Sequence, residues 1–386
     1  MVSMFNIPST LIIGGGSTNE VGVQAKKLNA NHLLLVTDAF MVETGLAARV
    51  SDLLKKEGLE VTLFPEVQPD PTDKNVLEGL AVYKKNNCDL VVGLGGGSSM
   101  DCGKVIAVMA TNKPPISQYA GLHNVPNKGV PLIVIPTTAG TGSEVTKVAV
   151  IGDTERDVKM MMLDVNMLAT VAIVDYELTM TCPPALTANV GVDTLVHAVE
   201  GYVSKKANAM TDPIALSAIK LVAENLLTAF NEPGNEKARE SMMLAATQAG
   251  MAFANSSVCL VHGMSRPIGA LYHVPHGLSN AVLFAECTEF SVSGAPDRYA
   301  TVSRVMGYAS EADSDETACE KLVAGLKNLN ATLKIPRLGD VVRVDLATFN
   351  ERVEKMANDG IASGSPGNNP VVPTVQETID IYHKAW

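Results

Sequence analysis

Four residues in the second half of the chain have side chains suited to binding one metal ion. Asp193 and His197 lie four residues apart in a stretch with helical periodicity, so their side chains should project from one helix face. His262 and His276 follow, and they flank a segment that contains Arg266. One carboxylate and three imidazoles suit Fe(II), Zn(II), Ni(II) or Co(II) better than Ca(II). Each histidine alone is more often a hydrogen-bonded core residue, but the four residues together predict a divalent-metal site.

A metal site with these ligands would leave room for a substrate oxygen as a further ligand. A divalent ion there would act as a Lewis acid on an alcohol or carbonyl oxygen. Hydride would then pass between the adjacent substrate carbon and a nicotinamide cofactor. This hypothesis requires a dinucleotide site in the same chain.

The first half of the chain contains a glycine-rich loop between a predicted strand and a predicted helix. The apolar run 90–94 leads into Gly95, Gly96, Gly97 and Ser98. Glycines allow close backbone approach to a pyrophosphate, and the free N–H groups and dipole of a helix N-terminus favour its negative charge. The loop follows neither the G-x-G-x-x-G nor the Walker pattern, and a plain tight turn is the alternative interpretation. The arrangement predicts a ligand that carries phosphate.

Two further polar groups follow predicted strands. Asp38 comes after the run 33–36, where a carboxylate accepts hydrogen bonds from an adenosine ribose diol and repels a 2′-phosphate, which favours NAD over NADP. Capping of the next helix is the alternative role for Asp38. The segment 137–144, rich in Thr, Gly and Ser, follows the run 132–135. Ligands of open α/β sheets bind at such strand ends, although a hydroxyl-rich turn has the same composition.

The pattern of secondary structure changes near residue 180. Before it, short runs of Val, Ile and Leu alternate with helical stretches, which predicts buried parallel strands joined by helices. After Pro183 and Pro184, only long amphipathic helical stretches recur. We expect an α/β dinucleotide-binding domain over residues 1–180 and an all-helical domain over residues 181–386 that holds metal and substrate.

Composition argues against several classes of partner. The formal net charge is −11 and no block of Lys and Arg occurs, which argues against nucleic acid and anionic lipid as partners. The first residues lack a signal-peptide pattern, and no run reaches the roughly 18 apolar residues that span a bilayer. The six cysteines are scattered without a C-x-x-C pair, so we expect neither a disulfide framework nor a thiolate zinc site. These features favour a cytoplasmic protein with no membrane partner.

Taken together, the motifs resemble the iron-containing (group III) alcohol dehydrogenase family, especially its lactaldehyde reductases, propanediol oxidoreductases and short ethanol dehydrogenases. The likeness rests on segments 95–98, 136–144, 191–201 and 273–277, and it continues to residues 382–386. It implies a Rossmann-like domain followed by a helical domain, the superfold shared with dehydroquinate synthase. It also implies NAD as the cofactor, with NADP as an alternative, and one divalent metal, Fe(II) before Zn(II) or another ion.

The resemblance further implies a substrate class and an assembly. Lactaldehyde or 1,2-propanediol, 1,3-propanediol, ethanol and butanol represent the expected small alcohols, aldehydes and diols. Family members form dimers and larger rings, so we expect a homodimer or a higher homo-oligomer.

The resemblance also assigns individual residues. It implies metal ligation by Asp193, His197, His262 and His276, the same four residues that the donor types predict. It implies a dinucleotide cleft between the domains, with ten residues in it: Asp38 and Asp70 near the adenosine, Gly96, Gly97 and Ser98 at the pyrophosphate, and Thr137, Thr138, Thr141, Lys159 and Leu178 along the cleft. The assignment of Lys159 rests on the resemblance alone.

Four positions depart from the family pattern, and one of them is Val190, where relatives usually carry Thr, Ser or Gly. Arg266 stands where many relatives carry a second histidine that is a proposed participant in proton transfer. Arginine does not release its proton near neutral pH, so Arg266 would either attract an anionic or highly polar substrate or pair with a carboxylate. His273 replaces a usual Tyr or Asn, which makes it a candidate for the proton relay. Asp70 replaces an Asn of some relatives, and its charge strengthens the preference for NAD.

Four other functions can be weighed against the pattern. A glycerol-type polyol dehydrogenase remains open, whereas the Asp and three His argue against a metal-free maleylacetate reductase. A lyase like dehydroquinate synthase would use NAD and a metal to eliminate phosphate, and it would need a basic cluster of which we find only Arg266 and Lys159. A non-catalytic metal-binding protein would leave the glycine-rich loop unexplained.

Overall fold

The computed structural model describes residues 3–156 and 158–386. They form two compact units, one over Asn6–Met180 and one over residues 3–5 together with Thr181–Trp386. The first unit is α/β and the second is mostly helical, which confirms the predicted fold class.

The first unit contains two sheets and the helices that connect their strands. Its strands are β1 Thr10–Ile13, β2 His32–Val36, β3 Glu60–Phe64, β4 Leu90–Gly95, β5 Gly121–Leu122, β6 Leu132–Pro136, β7 Val148–Asp153, β8 Val158–Leu163 and β9 Val171–Val174. Its α-helices are α1 Val21–Lys27, α2 Ala39–Glu43, α3 Leu46–Lys56, α4 Asp73–Lys85 and α5 Gly97–Met109.

The larger sheet has six parallel strands in the order β1-β9-β6-β4-β2-β3. Its central strands are apolar on both faces because helices cover both faces, and Leu33, Leu34 and Leu35 are fully buried. The six apolar runs of the first half that predict strands all belong to this sheet, and they are residues 11–13, 33–36, 61–64, 90–94, 132–135 and 171–174. Strands β2, β4 and β6 are neighbours, so the residues that follow Val36, Gly95 and Pro136 leave the sheet at one edge.

The smaller sheet was not predicted from the sequence. It has the order β5-β8-β7, with β7 and β8 antiparallel. Residues in β7 alternate between buried and partly exposed positions, the pattern of a sheet with only one covered face. Strands β7 and β8 each contain four consecutive apolar residues, as β6 and β9 do, but their residues are not buried throughout as those of β6 and β9 are.

The second unit is a bundle of helices. They are α6 Pro184–Val203, α7 Thr211–Asn231, α8 Glu236–Asn255, α9 Leu260–Tyr272, α10 His276–Ser291, α11 Pro296–Val305, α12 Asp315–Thr332, α13 Leu338–Val342, α14 Leu346–Ala362 and α15 Val375–Ala385. Helices α6, α7 and α8 pack closely on one another. A Cβ added at Gly191 of α6 would lie 2.3 Å from Leu226 Cδ1, so α6 and α7 approach closely because this residue is glycine.

Two stretches of this unit have the length and apolarity of a membrane span. They are α7 alone and the pair α8 and α9, which is bent by 102°. The core helices of compact domains pass the same test, and α7 packs against α6 and α8 within the bundle. Composition by itself is therefore weak evidence for a membrane span here.

Candidate active site

Three helices of the second unit bring the four predicted metal ligands together. Asp193 and His197 lie one turn apart on α6, His262 lies in the first turn of α9, and His276 begins α10. Their ligand atoms all lie within 4.8 Å of one another. The first three residues are buried, whereas His276 is exposed. The donors that were predicted from residue types thus form one cluster in the structure.

The chemistry of this cluster fits a divalent first-row metal ion. The Asp193 Oδ1 atom lies 3.9 Å from His197 Nδ1 and 3.9 Å from His262 Nε2. Such ions bind nitrogen and oxygen ligands at about 2.0–2.2 Å, so atoms with this spacing need only small movements to share one ion. Desolvation holds the pKa of His262 well below its usual value. The imidazole is therefore neutral at neutral pH, which is the form that binds metals.

Glu200 is a functional candidate that the sequence analysis missed. It lies on α6 three residues after His197, is buried, and its Oε2 atom is hydrogen-bonded to His262 Nδ1 at 2.7 Å. It also accepts backbone N–H bonds from Cys259 at 2.8 Å and Val261 at 2.6 Å. Desolvation raises the pKa of Glu200 to about 7, although these hydrogen bonds act in the opposite direction. The signal in the sequence is its helical spacing from the two ligands of α6.

Asn280 was missed as well. Its Nδ2 atom lies 2.7 Å from Asp193 Oδ1 and 3.1 Å from Nε2 of both His262 and His276. Its Oδ1 atom is buried with no hydrogen-bond partner among the described residues. Because amide nitrogen and oxygen exchange places on rotation, this side chain can present either a donor or an acceptor to the cluster. The four-residue spacing from His276 places both side chains on one face of α10.

The two predicted catalytic residues lie beside this cluster in sequence but outside its set of donors. Arg266 is half-buried on α9 and its Nη1 atom donates to the Ser363 carbonyl at 3.4 Å. Burial lowers the pKa of Arg266, and the negative charge of Glu200 opposes that shift. His273 is exposed at the C-terminal end of α9, where it adopts a left-handed conformation with φ of 53°.

Asp38 and the glycine-rich loop meet at the edge of the larger sheet in the first unit. Asp38 Oδ1 accepts the Met41 N–H at 3.0 Å and caps α2, while its Oδ2 atom accepts from Ser99 Oγ at 3.2 Å. Gly95 has φ of 142° and a Cβ there would lie 2.6 Å from Ser99 Oγ, so only glycine fits this turn. Asp38 therefore caps α2 and contacts the glycine-rich loop at the same time, because each of its carboxylate oxygens has its own partner.

Two predicted threonines lie against the same loop. Gly96, Gly97 and Ser98 form the start of α5. A Cβ on Gly96 would lie 3.8 Å from Thr138 Oγ1, and one on Gly97 would lie 3.2 Å from Thr141 Cγ2. The neighbouring Thr137 donates its N–H to the Gly95 carbonyl at 3.0 Å. The structure therefore gathers these six residues and Asp38 around one helix N-terminus, which can bind a phosphate group.

The remaining predicted cofactor residues occupy other positions in the first unit. Asp70 and Lys159 form an ion pair at 2.8 Å, and both side chains are substantially exposed. Leu178 is almost fully buried and belongs to the core cluster that includes Leu94 and Ile135.

Comparisons with known proteins agree with the predicted family. The model of the iron-containing alcohol dehydrogenase family matches residues 8–176, and the C-terminal model of the same family matches residues 187–386. The NAD-dependent methanol dehydrogenase of Bacillus methanolicus is 39% identical over 99% of each chain. The lactaldehyde reductase of Escherichia coli strain K12 is 34% identical over the whole of both chains.

A solved structure extends the likeness to three dimensions. The crystal structure of a 1,3-propanediol oxidoreductase matches all of both chains with a TM-score of 0.97 and 36% sequence identity. Both family models and these full-length relatives confirm the predicted resemblance, and the chain belongs to the iron-containing alcohol dehydrogenase family.

Proposed function

We propose that this chain catalyses hydride transfer between NAD(H) and a small primary alcohol, aldehyde or diol. The observation that carries the proposal is the cluster of Asp193, His197, His262 and His276 in a chain that also has a glycine-rich helix N-terminus. When bound, a divalent ion would polarise the substrate oxygen and a nicotinamide would exchange hydride. The full-length likeness to a methanol dehydrogenase and a lactaldehyde reductase supports this substrate class.

The residues of the first unit would bind the dinucleotide. The N–H groups at the start of α5, from Gly96 to Ser98, would bind the pyrophosphate, with Thr137, Thr138 and Thr141 beside them. Asp38 would accept hydrogen bonds from the ribose diol and would repel a 2′-phosphate, which favours NAD over NADP.

Asp70, Lys159 and Leu178 remain proposed contacts of the dinucleotide. Their support is the family resemblance, together with the Asp70–Lys159 ion pair, which fixes two polar side chains at one place on the surface.

Residues close in sequence to the predicted metal ligands of the second unit are our candidates for proton transfer and substrate binding. His273 is our candidate for proton exchange with solvent, because its imidazole is exposed three residues before His276. Arg266 would either attract an anionic or highly polar substrate or pair with a carboxylate, and its electrostatic interaction with Glu200 supports the second role. We propose Fe(II) as the metal on the basis of family membership, and the borderline donor set would also accept Zn(II).

We further propose a cytoplasmic homo-oligomer. The described structure contains six free cysteines, as expected for a reducing compartment. Strand β1 lies at the edge of the larger sheet, and its Ile13 side chain is 47% exposed. An edge strand with an exposed apolar residue would allow pairing with a second copy.

The experiment is anaerobic spectrophotometry at the NADH absorption band on protein stripped of metal and reloaded with Fe(II) or Zn(II). It would compare NAD with NADP over a panel of primary alcohols, diols and glycerol. We expect metal-dependent NADH formation, reduced more than about 100-fold by His262→Ala because a ligand is lost. His383→Ala is the matched control, since His383 is an exposed histidine that contacts Asn350. Tight NAD binding with no turnover under any metal would contradict the dehydrogenase and would favour the lyase alternative.

A further inference from the structure

We infer that Glu200 is a positioning residue that sets which nitrogen of His262 faces the metal. The inference rests on the proposed function, because it concerns the same metal centre. Asp193, His197 and Glu200 occupy positions 0, +4 and +7 on α6, so all three project from one face of that helix. One helix would therefore supply two ligands and also hold a third ligand that belongs to α9.

The hydrogen bond between Glu200 and His262 decides the tautomer of the imidazole. Glu200 Oε2 lies 2.7 Å from His262 Nδ1, and a carboxylate in this position accepts a hydrogen bond from an N–H on that nitrogen. The lone pair is then on Nε2, the atom that lies 3.9 Å from Asp193 Oδ1. A carboxylate that accepts from the distal nitrogen of a ligand histidine fixes both its ring orientation and its tautomer.

Glu200 also fixes the start of the helix that carries His262. The N-terminal N–H groups of a helix lack partners within the helix, and Cys259, which precedes α9, provides no side-chain cap. Glu200 accepts the N–H of Cys259 through Oε2 and that of Val261 through Oε1. A helix cap alone would use only these two bonds, so the bond to His262 is the feature that points to the metal.

Charge gives a second argument that does not depend on hydrogen bonds. Glu200 and Asp193 are 3% and 1% exposed, and the donor cluster holds three imidazoles that bind metals in neutral form. A bound divalent cation would favour the ionised form of Glu200, and the two buried carboxylates would then balance its charge. Buried charges are retained in proteins where they are paired or coordinate metals, which is the arrangement this pair would have around an ion.

The test is the affinity of the whole protein for Co(II), measured by competition with a chelator and by the visible absorption of the bound ion. Glu200→Gln keeps the shape of the side chain but removes its charge. We expect it to weaken Co(II) binding by about 10–100-fold and to change the absorption spectrum.

Asp175→Asn is the matched control. Asp175 is a fully buried carboxylate that accepts three backbone N–H bonds, from Gly16, Thr18 and Glu177, in the first unit. We expect this variant to lower the Tm and to leave Co(II) affinity unchanged. If Glu200→Gln lowers the Tm but binds Co(II) within twofold of the wild type with the same spectrum, Glu200 only caps α9 and the inference is wrong.

A measurement on the wild-type protein covers the case in which Glu200→Gln fails to fold. Nitrogen-15 NMR of the Zn(II)-loaded protein with labelled histidine, assigned by comparison with His262→Ala, should show the proton on His262 Nδ1. A proton on Nε2 would overturn the inference and leave the proposed function intact. Failure of the wild type to bind any divalent metal would overturn both.

Discussion

At the residue scale, Asp38 caps α2 and also lies beside the glycine-rich loop, so the two roles that the sequence presents as alternatives are compatible. Its Oδ1 atom caps α2, while its Oδ2 atom reaches Ser99 at the start of α5. Because the two oxygens have separate partners, capping does not remove the carboxylate from the glycine-rich loop. The cofactor preference proposed for Asp38 depends on its charge, whereas the cap depends only on an oxygen acceptor.

That difference makes Asp38→Asn a selective test. Asparagine is as good an N-cap as aspartate, so the fold should be retained, but the repulsion of a 2′-phosphate is lost. We expect the ratio of kcat/KM for NADP to that for NAD to rise at least about tenfold, or roughly 1.4 kcal/mol. Steady-state kinetics with both cofactors would measure it, with Asp52→Asn on the exposed face of α3 as the control. An unchanged ratio would assign Asp38 to capping alone.

Arg266 is the second residue for which the sequence allows two roles, attraction of a polar substrate or pairing with a carboxylate. Its guanidinium donates to Ser363 O and lies close enough to Glu200 for their charges to interact. We expect Arg266→Met to lower the free energy of unfolding by about 1–3 kcal/mol, because hydrogen bonds that involve a charged group are lost.

Kinetics of the same variant test whether Arg266 instead attracts an anionic substrate. If Arg266 acts within the protein, Arg266→Met should change KM for anionic and neutral aldehydes by the same factor. A selective rise in KM for anionic substrates would instead support direct attraction of substrate. Arg49→Met, at an exposed position on α3, is the control and should change stability by less than about 0.5 kcal/mol.

At the scale of elements, Lys104 joins helix α5 to the segment that leads into β7. Its side chain is fully buried, and Nζ donates to Ser143 Oγ at 2.6 Å and to the Val148 carbonyl at 2.7 Å. Nζ also forms an ion pair with Asp101 at 3.2 Å. Asp101 in turn accepts the Val150 N–H at 3.0 Å. This network holds the helix that would bind pyrophosphate in a fixed position.

Removal of the buried cation should therefore destabilise the first unit. Lys104→Met leaves the Asp101 carboxylate without its charged partner, which we expect to cost about 3–5 kcal/mol of the free energy of unfolding. Denaturant unfolding would measure the loss, and NAD binding to the folded fraction should also weaken. Lys85→Met replaces an exposed lysine of α4 and is the control. A loss below about 1 kcal/mol would show that hydroxyl groups or water replace the ammonium in this network.

At the scale of the whole molecule, the proposed metal site belongs to the second unit and the proposed pyrophosphate site belongs to the first. The four predicted metal ligands, Glu200 and Asn280 all lie within Thr181–Trp386, whereas the glycine-rich loop and Asp38 lie within Asn6–Met180. Ligand binding stabilises the part of a protein that the ligand contacts, and occupancy at 100 times Kd adds about 2.7 kcal/mol. Metal and cofactor should therefore stabilise different units.

Hydrogen exchange measured by mass spectrometry would test this separation. We expect Zn(II) to slow exchange in peptides from α6, α9 and the start of α10. NAD should slow exchange at the start of α5 and around residues 137–141. His262→Ala, which removes a predicted metal ligand, should abolish the protection by Zn(II) and retain the protection by NAD. Protection of α5 by Zn(II) in the absence of NAD would contradict the assignment of the metal to the second unit alone.

The sequence by itself determined the fold class, the six strands of the larger sheet and the four clustered donors. Each of these features has a local signal. Buried parallel strands appear as continuous apolar runs, helices have a repeat of 3.6 residues, and imidazole and carboxylate side chains are recognisable by type. The family resemblance added residues that have no such signal, including Lys159.

Only the tertiary structure revealed Glu200, Asn280 and Lys104. Glu200 meets His262 across 62 positions of sequence, Asn280 meets Asp193 across 87, and Lys104 meets Ser143 across 39. The smaller sheet was missed because only one of its faces is covered, so β7 and β8 are not buried throughout as the central strands are. A hydrogen bond between distant residues leaves no periodic trace in either segment, so the partner of a buried polar side chain is decided when the helices and strands pack.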